Sequence, residues 1–368
     1  MLKSRNSRDS EALKGAFVKT YLGAIVLASL ALLLTPAIES AQEETSMNAG
    51  VPWAYGFAKP APAPGSAPAG GGAAAPAAAP ADPEDRDAIH HLPDTTQAFS
   101  IKDIDSNYGP ADWYPGDHPT MPDIVAHGRK PAVTACGFCH YPNGKGRPNN
   151  AGPAGLPVAY IIQQLQDFKD GSRNTWDKRK RNEAQMIAIA TALTPEEAQA
   201  AAAYFSSMKW TPYVKVVEAE TVPKTHYVGG GGGLCMPLTG TEAGTEPIAN
   251  RLIEIPTNPD DTEPMRDPRA GFIAYVPPGT LKKGEDIVVN GGGGKTLACA
   301  SCHGQGLKGK DDFPSLAGRS PSYLARQLND FKHLSRVGPG SKKMQPVAQN
   351  LTDDDILAVT AYIASLQP

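Results

Sequence analysis

Two stretches of the chain carry the same hydrophobic pattern. In YIIQQLQDFK (160–169), Ile161, Leu165 and Phe168 fall at i, i+4 and i+7 on one helical face, while Tyr160, Gln164 and Asp167 fall on another. YLARQLNDFK (323–332) repeats this with a shift of 163 residues, so that Tyr323, Gln327, Leu328, Asp330, Phe331 and Lys332 take the corresponding places, and Arg336 answers Arg173. Beyond the arginines the shift falls to 158 and stays there: Met186 meets Met344, Leu193 meets Leu351 and Tyr204 meets Tyr362. Each copy closes on a helix with a capping box, Thr194 with Glu197 three residues on and Pro195 at the first helical position, then Thr352 with Asp355. The pattern predicts a mainly α protein made of two tandem copies of one domain.

Between the copies the period changes. YVKVVEAETVP, NRLIEIPTNP and GFIAYVPPGT are β-branched runs ended by prolines, which predict short strands and irregular loops packed between or over the two copies. The expected division is residues 1–41 as signal peptide or membrane anchor, 42–100 as an Ala/Pro/Gly-rich linker, 101–208 and 280–368 as the repeated domains, and 209–279 as a connecting insert that acts as a spacer. Ala58 to Pro83 is too rich in proline and glycine to bury a core and reads as a semi-extended tether.

The N-terminus carries Lys3, Arg5, Arg8, Lys14 and Lys19 ahead of an apolar run from Tyr21 to Ala37. Basic residues before such a run direct export, with cleavage and retention both open; a retained segment would attach the protein to the membrane through residues 17–38. Either outcome puts the rest of the chain in the periplasm, soluble or anchored to the inner membrane. With 35 basic against 38 acidic residues and no basic stripe beyond the N-terminus, nucleic acid is excluded as a partner.

The chemistry lies in a motif present once per copy, CGFCH at 136–140 and CASCH at 299–303. Four cysteines in two pairs could hold zinc, but tetrahedral zinc needs all four to converge, and here each pair belongs to its own helical repeat. A redox dithiol needs no following histidine and belongs at a helix start in a βαβ pattern, which is absent. Covalent haem explains every part. Cys136 and Cys139, and again Cys299 and Cys302, can form thioethers to the two vinyl groups of a haem, while His140 and His303 place an imidazole under the iron. Two covalently bound haem c groups are expected. Met186 and Met344, at matched positions eight residues before the threonine caps, are the candidates for the opposite axial ligand, since a thioether is a soft donor that raises the potential. His127, nine residues ahead of Cys136, is the rival in the first copy and reads as a loop histidine.

These motifs, with SR after each amphipathic helix and LTPEEAQAAAAYF or LTDDDILAVTAYIASL at each end, resemble class I c-type cytochromes, most closely two-haem cytochromes of the c4 and c553 kind. The resemblance covers about 120–208 and 280–368 and implies three or four helices around each haem, with His and Met as axial ligands. It also implies a proline whose carbonyl orients the proximal histidine. Pro314 fits; the ungapped counterpart in the first copy is Ala151, with Pro148 three residues earlier. Arg173 and Arg336 are candidates for haem propionate contacts, or else ordinary solvent-facing arginines at helix ends.

The function implied is one-electron transfer with redox partner proteins: a periplasmic or membrane dehydrogenase, an oxidase or another cytochrome. A dihaem peroxidase or thiosulfate-oxidising enzyme is the alternative and needs one haem with an open or labile sixth position. Two further features carry no such chemistry. VVNGGGGKT has Val289 where a phosphate loop requires glycine, and Cys235, the odd cysteine, reads as a buried inert thiol.

Overall fold

The computed structural model describes residues 50–58, 85–229 and 231–368. The segment read as leader or anchor and nearly all of the tether lie outside the described residues. Among the described residues no helix is long and apolar enough to cross a membrane.

The described chain begins with a one-turn helix, α1 (Pro52–Tyr55). Val51, Trp53, Ala54 and Tyr55 are buried in the core of the second copy, so this stretch of the expected linker is folded. Proline and glycine crowd only from residue 58 onward, and the three aromatics just before them, Trp53, Tyr55 and Phe57, carry enough apolar surface to dock. After the tether come a two-residue strand pair, β1 (Ile89–His90) and β2 (Phe99–Ser100), and helix α2 (Ile101–Ile104). They pack around the fully buried Trp113, whose indole N–H donates to the Met265 carbonyl at 2.8 Å.

The first copy comprises α3 (Asp123–Ala126), α4 (Cys136–His140), α5 (Val158–Lys169), α6 (Arg181–Ala192) and α7 (Pro195–Ser206). Its core gathers Ile124, Val125, Val133, Tyr204 and Phe205, with Ile161 and Leu165 of the amphipathic face packed against them. The insert follows as predicted, in short strands: β3 (Val214–Glu218), β4 (Thr221–Pro223), β5 (Thr225–Val228), β6 (Leu234–Pro237), β7 (Thr245–Pro247), β8 (Ile253–Pro256) and β9 (Phe272–Val276), with helix α8 (Pro259–Thr262). β9 is the centre of a three-stranded sheet, parallel to β3 and antiparallel to β8; β4 pairs with β7, and β5 with β6. Cys235 on β6 is buried with Val222, Ile248, Ile253 and Ile255, and burial pushes its thiol up to about 11, as befits an inert group.

The second copy comprises α9 (Thr280–Asn290), α10 (Ala300–His303), α11 (Pro321–Lys332), α12 (Ser341–Gln349) and α13 (Asp353–Ser365). Both capping boxes are present: Thr194 accepts from Glu197 N–H at 3.2 Å and Thr352 from Asp355 N–H at 3.2 Å, each carboxylate returning the bond to the threonine N–H. Asp355 also receives Lys283 at 3.0 Å and Lys295 at 2.7 Å, tying α9 and the following loop to α13. Burial opposes its charge, but the bonds from Lys295, the Thr352 N–H and Lys283 outweigh it and hold this carboxyl well below the usual carboxylate range. Its folded-state value is lowered, so its contribution is complete above the unfolded carboxylate range and is lost as pH falls through the folded value. Asp355→Asn is expected to cost about 1–3 kcal/mol at pH 7, in keeping with the loss of a cap and of charge-assisted bonds. In denaturant melts the gap to the native chain should narrow below about pH 4; a gap constant with pH would refute this role.

The insert bonds to both copies. Glu263 pairs with Arg147 at 2.8 Å and the Pro268 carbonyl accepts from Asn143 at 2.7 Å on the first. Glu254 accepts from Ser320 Oγ at 2.8 Å and Ser322 N–H at 3.1 Å at the head of α11 on the second.

Candidate haem-binding sites

Each C-x-x-C-H motif forms a short helix that opens onto a cavity. In the second copy, Cys299, Cys302 and His303 share a cavity of about 440 Å3 with Met344, and Leu324 and Phe331 of α11 form part of its apolar wall. His303 is buried, and its Nδ1 lies 2.9 Å from the Pro314 carbonyl oxygen. A carbonyl only accepts, so Nδ1 carries the proton and Nε2 keeps its lone pair. That Nε2 is buried with no hydrogen-bond partner, a state that is costly unless something else takes up the lone pair.

In the first copy, Cys136, Cys139 and His140 face a smaller cavity of about 140 Å3 that also contains Met186, Leu165 and Phe205. His140 Nδ1 lies 2.8 Å from the carbonyl oxygen of Ala151. Ala151 and Pro314 each stand eleven residues after their histidine, so the same backbone position serves both copies and proline is not required for the bond. Pro148 instead gives its carbonyl to Arg326 at 2.8 Å. Burial lowers both imidazoles below the ordinary histidine value, which favours the neutral form that can bind a metal, and pushes the Cys136 thiol up to about 12 and Cys299 to about 11.

Both methionines sit on helices, Met186 in the second turn of α6 and Met344 at the end of the first turn of α12, and both line the cavities of their histidines. His127 is exposed after α3 and does not line the first cavity.

The arginines are not solvent-facing. Arg173 and Arg336 are buried and bridge each other across the two copies. Arg173 donates to Gln164 at 2.9 Å and to Gln327 of the other copy at 3.0 Å, while Arg336 donates to Gln327 at 2.8 Å and to Gln164. Each guanidinium stacks on its own copy's phenylalanine, Phe168 at 4.3 Å and Phe331 at 4.2 Å. The backbone follows the same exchange, Asn174 N–H to Ser335 and Val337 N–H to Ser172. Both Nε groups are buried without a partner, and among the described residues no carboxylate forms an ion pair with either arginine. Arg173 lines the first cavity and Arg336 the second.

The sequence reading missed how each copy completes the other's site. Tyr323, Arg326 and Gln327 line the first cavity, and Tyr160 and Gln164 line the second. Tyr323 and Gln327 belong to both cavities and form a shared wall. The signal was available in the repeated Tyr and Gln of the amphipathic helices, a polar face that meets its own duplicate and not water.

Two paired thiols, an imidazole whose Nε2 in the second copy is orphaned, apolar walls, a thioether in the same cavity and a buried arginine with no ion pair among the described residues together fit a covalently bound haem. Residues 125–209 and 282–367 match the family model for cytochrome c. Cytochrome c-554(548) of Halomonas halodenitrificans is 35% identical over 87 residues, which cover 24% of this chain and 96% of that protein. Cytochrome c4 of Stutzerimonas stutzeri is 26% identical over 240 residues, covering 64% of this chain and 85% of that one. A protein described as thiosulfate dehydrogenase electron acceptor, from Thiomonas intermedia, is 27% identical over 240 residues, covering 64% and 80%. The chain belongs to the cytochrome c family. It is a dihaem electron-transfer cytochrome with two covalently bound haem c groups.

Proposed function

We propose that the protein is an exported electron carrier that accepts electrons from a dehydrogenase or respiratory complex, and that it is not itself an enzyme. In this reading residues 101–208 and 280–368 are the haem domains. Cys136 and Cys139 would hold one haem and Cys299 and Cys302 the other, with His140 and Met186, and His303 and Met344, as the side chains that would ligate the iron. The Ala151 and Pro314 carbonyls fix the imidazole planes through Nδ1, which would leave each Nε2 free to ligate the iron. Arg173 and Arg336 would neutralise propionates, which would account for two guanidinium groups buried side by side with no ion pair among the described residues. The haem iron supplies the one-electron couple, and the protein walls exclude water from it.

The observation that carries the carrier reading is the pair of matched cavities, each holding a methionine, back to back across Tyr323 and Gln327. A thioether in each cavity would supply the iron with a second protein ligand in place of substrate, and the shared wall keeps the path between the sites short. The kinship with a thiosulfate dehydrogenase electron acceptor supports a dehydrogenase as donor. Export is supported by the basic and apolar N-terminal sequence, and the N-terminal residue of the mature protein distinguishes a cleaved leader from an anchor.

Carbon monoxide tests the reading. The reduced, haem-loaded protein is expected to keep its visible spectrum under carbon monoxide, and Met344→Ala is expected to bind it at one haem. Ready binding by the native protein at either haem would overturn the carrier reading in favour of a dihaem enzyme.

A further inference from the structure

Asp330 is a buried carboxylate on α11, the helix whose Leu324, Leu328 and Phe331 wall the second cavity. Among the described residues no cation forms an ion pair with it. One oxygen, Oδ1, receives two neutral donors, the Tyr55 hydroxyl at 2.6 Å and the Trp176 backbone N–H at 2.8 Å.

The other charged or titratable groups around it are few. Arg326, one turn earlier on α11, is spent on the carbonyls of Ala54 and Pro148, and Arg336 on the two glutamines. Glu183 on α6 adds negative charge, and Lys332 and His333 close the helix, His333 stacked on Trp176 at 3.9 Å. Asn329 donates to the Tyr55 hydroxyl at 2.9 Å, which turns that hydroxyl's proton toward Asp330. Burial first and Glu183 second push the Asp330 carboxyl up to about 7, against the pull of Tyr55, Trp176 and Arg336.

The repeat supplies a contrast. Asp167, the counterpart of Asp330, is also buried, but it is held by the side-chain amides of Gln163 at 2.7 Å and Gln164 at 3.4 Å. Counted from the arginines, Pro339 stands three residues after Arg336 as Trp176 stands three after Arg173; it has no N–H to give, and among the described residues no tyrosine hydroxyl bonds to Asp167 as Tyr55 does to Asp330.

We infer that Asp330 is a proton-binding site coupled to electron transfer at the second haem: its carboxylate takes up one proton from solvent as the cavity gains one electron from a redox partner, and releases it when the electron leaves. An added negative charge in a low-dielectric cavity disfavours a second buried negative charge on the helix that walls it, so arrival of the electron drives protonation. Tyr55 sets the range in which this happens, because its hydrogen bond favours the charged form. The inference rests on the reading that the second cavity holds a haem.

The test is a redox titration of the intact haem-loaded protein across neutral pH, with infrared difference spectra recorded between the oxidised and reduced states. One midpoint potential is expected to fall as pH rises through neutrality, with a protonated-carboxyl band appearing on reduction. Asp330→Asn should lose both the slope and the band, and Asp167→Asn should keep them. Tyr55→Phe removes a donor from the charged form, so the sloping range should move to higher pH. If Asp330→Asn does not fold, the Tyr55→Phe displacement decides, and an unmoved range overturns the inference. A pH-independent native protein, or a slope that persists in Asp330→Asn, also overturns it while leaving the haem sites intact. A protein lacking the second haem in its visible spectrum would instead remove the reading beneath it.

Discussion

Replacing Cys299 and Cys302 together by alanine is expected to halve the covalently bound haem, and replacing Cys136 and Cys139 should do the same. The measurement is haem content after extraction with acidified organic solvent, which removes haem that is not held by thioethers. Retention of two haems in either variant would refute attachment at that motif. The two variants should differ in stability. The larger void is the second, about 440 Å3 against 140 Å3, and it is walled by α11, the helix on which α1 also docks. An unfilled apolar cavity costs stability in proportion to its size, so the variant emptied in the second copy should melt at the lower temperature.

Gly284→Val is expected to destabilise the second domain by roughly 3 kcal/mol, at the upper end of overpacking effects. α9 and α13 cross with backbone nearly against backbone: a Cβ built on Gly284 would lie 2.1 Å from the Ala358 carbonyl oxygen and 2.7 Å from Tyr362 Cβ. Neither neighbour is the flexible end of a side chain, so the helices must part, and parting them loosens the Lys283 and Lys295 bonds to Asp355, which tie α9 and the following loop to α13. Alanine restores up to about 1 kcal/mol of helix propensity but meets the same carbonyl, so it should fall between the two. The check is the denaturant midpoint of the haem-loaded protein; an unchanged midpoint for Gly284→Val would mean that the crossing is not tight.

Much of this architecture was legible in the residues because it rests on side-chain identity repeated at fixed spacing. The duplication, both haem motifs, both capping boxes and the strands of the insert all belong to that kind. Three features did not. The carbonyl that orients His140 comes from Ala151, and any residue can offer a carbonyl, so the sequence marks the position only by its distance from the histidine. Arg173 and Arg336 look like helix-end arginines because the surface they meet is the other copy's equally polar face, so composition gives no hint of burial. The docking of 50–57 escapes notice because eight residues are too short for a period, and their three aromatics stand beside a tether whose composition dominates the region.

The exchange of Arg173 and Arg336 between Gln164 and Gln327 has the reciprocity of a two-fold axis: what the first copy gives the second, the second gives back. A surface with that property is complementary to itself, so a single-domain ancestor bearing it could pair as a homodimer before the two halves were joined in one gene. Fusion then ends the requirement that both halves be identical. Every substitution in a homodimer appears twice, whereas here Trp176 can give Asp330 an N–H that Pro339 cannot give Asp167. Linking the halves in one chain is what allows two sites of common descent to be tuned to different tasks.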